Sequence, residues 1–99
     1  MSQNRITKAA RGRDCMVRIP GICNGNPETV VLAHYRLAGT CGTGMKPNDL
    51  QGAWACSACH DAIDGRSATW DTQQEIRLYH AEGCFRTIDT LVREGLVKL

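Results

Sequence analysis

Six cysteines in 99 residues constrain this chain more than any other feature. A domain this small builds a limited core, and Leu, Ile, Val and Phe supply only 19 residues, so a cross-link or a metal is expected to supplement it. Such a thin apolar supply signals disorder only when net charge is extreme, and here it is +2. The length predicts one domain with no room for a separate regulatory module.

The opening MSQNRITKAARGRD holds no apolar stretch of the kind that directs export. No run approaches the ~18 apolar residues of a membrane span. The expected setting is therefore the cytoplasm, with no membrane partner. Thiols stay reduced there, which ranks metal ligation above disulfides.

Cys56 and Cys59, with two residues between them, can present two thiolates to one tetrahedral ion because the backbone turns sharply there. Four ligands complete a structural zinc, and Cys15 with Cys23 is the natural second pair. Their seven-residue separation is wider than the common knuckle, and Cys41 is the rival fourth ligand. Cys84 lies at core spacing and reads as a buried apolar residue. The residue after the pair is His60, so CSACH also matches the attachment signature of a c-type haem. The missing export signal, the scarcity of aromatics and the surplus cysteines make that a remote alternative.

Residues 15–19 (CMVRI) are β-prone and stop at Pro20 and Gly21, which predicts a strand and then a loop. Residues 30–36 (VVLAHYR) predict a second strand, with Leu32, His34 and Arg36 on one face and Val31, Ala33 and Tyr35 on the other. The segment around Gly39, Gly42 and Gly44 lacks the spacing of a phosphate-binding loop and reads as a connection. CSACHDAID predicts a short helix ending near Gly65. Thr72 and Glu75 form a capping box for a long helix through Ile76, His80, Cys84, Ile88 and Leu91, bent at Gly83 and ended by Gly95. Residues 96–99 could add a small strand. The domain thus divides into a basic arm (1–13), a zinc-bound core (14–65) and a C-terminal helix (71–95).

Charge is unevenly distributed. Residues 1–48 hold seven Lys or Arg against two acids, and residues 49–99 hold five against eight. Arg5, Lys8, Arg11, Arg13 and Arg18 crowd the first 18 residues, as expected of an arm that contacts phosphates or of an ordinary solvated tail. Arg outnumbers Lys nine to three, which suits bidentate phosphate contact.

A histidine-bearing strand, a variable loop and a cysteine pair with histidine directly after it at a helix start resemble the zinc-stapled HNH nuclease motif. That motif is an α+β, treble-clef, ββα-metal design. GRDCMVRIPGICNGNPETVVLAHYR and KPNDLQGAWACSACHDAID further resemble the small phage and prophage nuclease family of the YbcO type, over residues 9–64. The resemblance implies that His34 is the general base, and that His60 ligates a catalytic divalent ion (Mg²⁺, Mn²⁺ or Zn²⁺). Asp64, four residues on, is then a second ligand. The middle Asn of the motif aligns to Gln51, with Asp49 or Asn48 serving if the loop is longer. Arg36 would clamp the scissile phosphate. The position before the base, usually a ligand, is Ala33. His80 reads as structural.

The expected function is a metal-dependent endonuclease acting on nucleic acid, with DNA the expected substrate, in a bacterial host cell. The alternative is a catalytically inactive, zinc-stabilised adaptor that binds DNA or protein, and Ala33 is the feature that favours it.

Overall fold

A computed structural model describes residues 5–42 and 44–98. The elements run α1 (Arg5–Ala9), a 3-10 turn (Pro27–Thr29), β1 (Val31–His34), β2 (Gly52–Ala55), α2 (Ser57–Ile63) and α3 (Gln73–Arg93). This is a small α+β arrangement. β1 and β2 pair antiparallel, with Val31 opposite Ala55 and His34 opposite Gly52. A Cβ at Gly52 would stand 2.8 Å from a Leu32 methyl and 3.3 Å from the Ala33 carbonyl, so a side chain there would have to displace the end of Leu32.

All four β2 residues are buried, because α3 packs across the sheet. Trp54 is the centre of that contact. Its amide donates to Thr87 Oγ1 at 3.0 Å, and the Thr87 hydroxyl donates to the Gly83 carbonyl at 2.8 Å, so a buried threonine is satisfied on both sides. α1 and the turn after it close one edge of the core with Ala10.

The β-prone run at 15–19 does not form a strand. Met16 makes a single sheet-like bond, its amide donating to the Trp54 carbonyl at 2.7 Å. The chain then curls, with Arg18 at φ +55° and the amides of Ile22 and Cys23 both donating to the Ile19 carbonyl. β propensity favours a half-buried pleated surface, whereas here Cys15 and Cys23 must turn inward to meet Cys56 and Cys59. Val17 and Ile19 stay in the core regardless.

α2 and α3 match their sequence signals. Thr72 caps α3 with the full reciprocal box. Gly65 and Gly95 adopt φ +74° just past the two helices, the left-handed stop that glycine supplies. The tail does not add a strand: the amides of Leu96 and Val97 turn back to the Leu91 carbonyl, and Leu99 lies outside the described residues. Among the described residues no helix is long and apolar enough to cross a membrane.

α3 runs through Gly83 without a break. A Cβ there would meet Val17 Cγ2 at 2.9 Å, Val17 Cα at 3.0 Å and the Met16 carbonyl at 3.1 Å. Gly83 therefore serves close packing. Gly83→Ala is expected to destabilise by about 1–3 kcal/mol in urea titration, because overpacking against backbone atoms outweighs the gain in helix propensity.

Candidate metal centre and catalytic site

Cys15, Cys23, Cys56 and Cys59 converge, with all four Sγ atoms within 4.8 Å of one another. Cys56 is also the N-cap of α2, and its sulfur accepts the Cys59 amide at 3.4 Å. Cys15 Sγ accepts the Arg18 amide at 3.5 Å. The curl at 15–23 and the start of α2 thus face each other as two thiol pairs.

The cluster passes a direct test of fit. Zn–S bonds of about 2.3 Å at tetrahedral angles put sulfurs about 3.8 Å apart, and Cys23 and Cys56 are 3.8 Å apart. A hydrogen bond from the Cys59 thiol holds Cys15 far below the usual thiol range, at about 4. The same contact, with burial, pushes Cys59 upward, and burial raises Cys23. One thiolate suppresses the ionisation of its neighbours, as expected of like charges crowded together. A divalent cation removes that conflict.

Cys41 is not in the cluster; its thiol points to the Leu37 carbonyl. Cys84 is buried on α3, and burial raises its thiol to about 11. A c-type haem would need the thiols of Cys56 and Cys59 for thioether bonds, whereas both residues are fully buried within the four-cysteine cluster.

Two polar pairs lie on the adjoining elements. At the end of β1, His34 Nε2 is 2.8 Å from Asp49 Oδ1. The carboxylate sits in a turn in which Asn48 Oδ1 accepts the Leu50 amide and Asn48 Nδ2 donates to Gln51 Oε1. Gln51, aligned to the motif's middle Asn, turns its amide to Thr40. The side chain on His34 is Asp49, the loop alternative, because the Tyr35 amide takes the Gln51 carbonyl at 2.7 Å and holds Gln51 in the sheet register. At the end of α2, His60 Nε2 is 3.2 Å from Oδ2 of the C-cap residue Asp64. Arg66 bridges Asp61 and Asp64 at 3.1 and 2.9 Å.

α3 holds the back of β1. His80 is buried and its Nε2 bonds the Ala33 carbonyl at 2.9 Å, the peptide next to His34. Burial lowers its pKa, and Arg77, His60 and Asp64 lie close enough to act on it. Arg77 stacks over Tyr35 at 4.3 Å and donates to the Arg36 carbonyl. The Arg36 side chain reaches the Met45 carbonyl at 3.5 Å. Arg77 carried no signal in the sequence beyond its place three residues before His80.

The basic segment is not a free arm where it is described. Arg5, Lys8 and Arg11 are exposed, and the latter two line a 520 Å³ cleft beside β1 with Thr7 and Glu28. Arg13 instead pairs with Glu94 and stacks over Trp54. Arg18 donates to the Cys15 carbonyl at 3.0 Å. These two guanidiniums have partners within the fold, whereas Arg5, Lys8 and Arg11 present their charges on the surface. Residues 1–4 lie outside the described part.

The model of the family described as "Putative nuclease YbcO" matches residues 4–96. The chain belongs to the YbcO family. A relative named "Putative nuclease YbcO" in Escherichia coli strain K12 is 57% identical over 95 residues, covering 94% of this chain and 96% of that protein. The "Putative nuclease ybcO" of Enterobacteria phage 82 matches to the same extent, so the YbcO family occurs in a bacterium and a phage. A solved structure described as a "putative bacteriophage protein" from E. coli K-12 superposes with a TM-score of 0.76 at 48% identity, covering 91% of this chain and 99% of that one. YbcO membership extends beyond residues 9–64 to take in α3.

Proposed function

We propose that this chain is a metal-dependent endonuclease that hydrolyses phosphodiester bonds in DNA through an HNH-like, treble-clef site. The relatives' name supports a nuclease. The observation that carries the finer reading is the β1–β2–α2 order, with the His34–Asp49 pair at the end of β1 and the His60–Asp64 pair on α2. Cys15, Cys23, Cys56 and Cys59 would hold a zinc ion that ties the curl to α2, and the domain works as one unit.

Asp49 accepts a hydrogen bond from His34 Nε2–H, which leaves Nδ1 as the basic nitrogen. His34 takes a proton from water, the water oxygen bonds to phosphorus, and the ester bond to the leaving oxygen breaks. His60 and Asp64, 3.2 Å apart, are spaced as two ligands on one ion would be, and they would hold the divalent cation. That cation, when bound, polarises the phosphate and stabilises the leaving oxygen. Arg36 clamps the phosphate, while Arg5, Lys8 and Arg11 contact the flanking backbone.

One observation favours the adaptor as a second reading. Ala33 is 1% exposed and faces the core, so the position before the base cannot ligate. Among the described residues the four cysteines are the only group of three or more metal-ligating side chains. Metal-dependent nicking of supercoiled plasmid, lost in His34→Ala, tests the nuclease; salt-dependent DNA binding with no nicking identifies the adaptor. Lys8→Ala with Arg11→Ala is expected to flatten the dependence of affinity on log salt by a slope of about 2 in either case, read by fluorescence anisotropy.

A further inference from the structure

The chain folds back at the end of α2 and sets a cation against Asp64. Asp64 is the C-cap of α2, and Gly65 follows at φ +74°. The Gly65 amide then donates to the Ala62 carbonyl at 3.2 Å, and the Arg66 amide to the Asp61 carbonyl at 2.8 Å. These are the paired bonds of a Schellman stop, and they fix the backbone of Arg66 beside the last turn of the helix.

In such a stop the residue in the place of Arg66 commonly makes an apolar contact with that turn. Here a charge takes its place. Arg66 Nε is 3.1 Å from Asp61 Oδ1, and a terminal guanidinium nitrogen is 2.9 Å from Asp64 Oδ2. The same Asp64 oxygen lies 3.2 Å from His60 Nε2. The oxygen that a divalent ion would share with His60 therefore already accepts from a guanidinium.

Charge decides the consequence. Asp61 and Asp64 bring two negative charges to one helix turn, and Arg66 offsets one of them. A divalent ion on Asp64 Oδ2 would stand against a positive charge seated on the same atom, and like charges that close repel. The guanidinium is free to move, since its side chain is 58% exposed and exposed ion pairs contribute little to stability. Arg66 can leave Asp64 while its Nε stays on Asp61.

We propose that Arg66 is the resident counter-cation of the His60–Asp64 site, which a divalent ion displaces from Asp64 in order to bind. Arg66 thereby sets the cation concentration at which the site fills. The inference rests on the reading of His60 and Asp64 as metal ligands and adds the regulation of that site; it requires neither nucleic acid nor cleavage.

The test uses the full chain purified without chelator, with Mn²⁺ as the probe, an ion suited to carboxylate and water ligands rather than thiolates. Free Mn²⁺ is read by electron paramagnetic resonance at low salt for the wild type, Arg66→Ala, Arg66→Gln and Arg66→Ala combined with His60→Ala. Arg66→Ala is expected to bind Mn²⁺ about 3- to 20-fold more tightly, the scale of repulsion between a single and a double charge a few ångströms apart in water. Arg66→Gln keeps hydrogen-bonding groups without the charge and is expected to show the same gain. Adding His60→Ala is expected to remove it. Equal or weaker Mn²⁺ binding in both single variants overturns the exchange and leaves the metal site standing, with Arg66 a strut that positions Asp64. Mn²⁺ binding that is absent from every protein, or indifferent to His60, refutes the His60–Asp64 site itself and the exchange with it.

Discussion

Replacing Cys56 with serine is expected to abolish cooperative folding. Four thiolates on one zinc contribute an apparent binding free energy of about 10–16 kcal/mol in zinc-finger peptides, and a whole domain is stable by about 5–15 kcal/mol. Cys56 joins both sides of that balance, since it is a member of the cluster and the N-cap of α2. Without it Cys15 and Cys23 have no reason to curl inward. The wild type is expected to carry one zinc per chain by atomic emission and to lose its thermal transition when a strong chelator removes the ion. Cys41→Ser, outside the cluster, is expected to keep both. A Cys56→Ser protein that melts at the wild-type temperature refutes the zinc-held core.

His34→Ala is expected to lower plasmid nicking by about 10²–10⁴-fold, the usual contribution of a positioned general base. His34 sits half-buried at the strand end, and its side-chain partner is Asp49, so the substitution is expected to leave zinc content and melting temperature unchanged. Asp49→Asn keeps the shape but no longer fixes which ring nitrogen holds the proton, and its rate is expected to fall while DNA affinity stays the same. Wild type and variants purified through the same columns and assayed with Mg²⁺ and Mn²⁺ check this. Equal nicking in His34→Ala removes His34 from the mechanism.

The helices were legible because their determinants are local. Thr72 and Glu75 lie three residues apart and complete their box within one turn, and glycine stops each helix by its own backbone freedom. The Cys56 and Cys59 pair was legible for the same reason. The path of residues 15–19 is not legible because propensity speaks for a segment alone, while the distant thiols of Cys56 and Cys59 decide it. Gly83 read as a bend because the sequence does not reveal that Val17 presses on it. The charge of Arg13 is visible in the sequence, whereas its partner Glu94, 81 residues on, is not.

By itself the sequence determined the kinds of chemistry available: four cysteines able to share an ion, histidines and carboxylates able to move protons, and helices with defined ends. Only the tertiary structure decided which of them meet. It selected Cys15 over Cys41, set Asp49 rather than Gln51 on His34, and placed His80 behind the strand that carries His34. Helix periodicity and caps are written into neighbours a few residues apart, whereas the partners of a side chain at the end of a strand depend on how distant segments close around a common core.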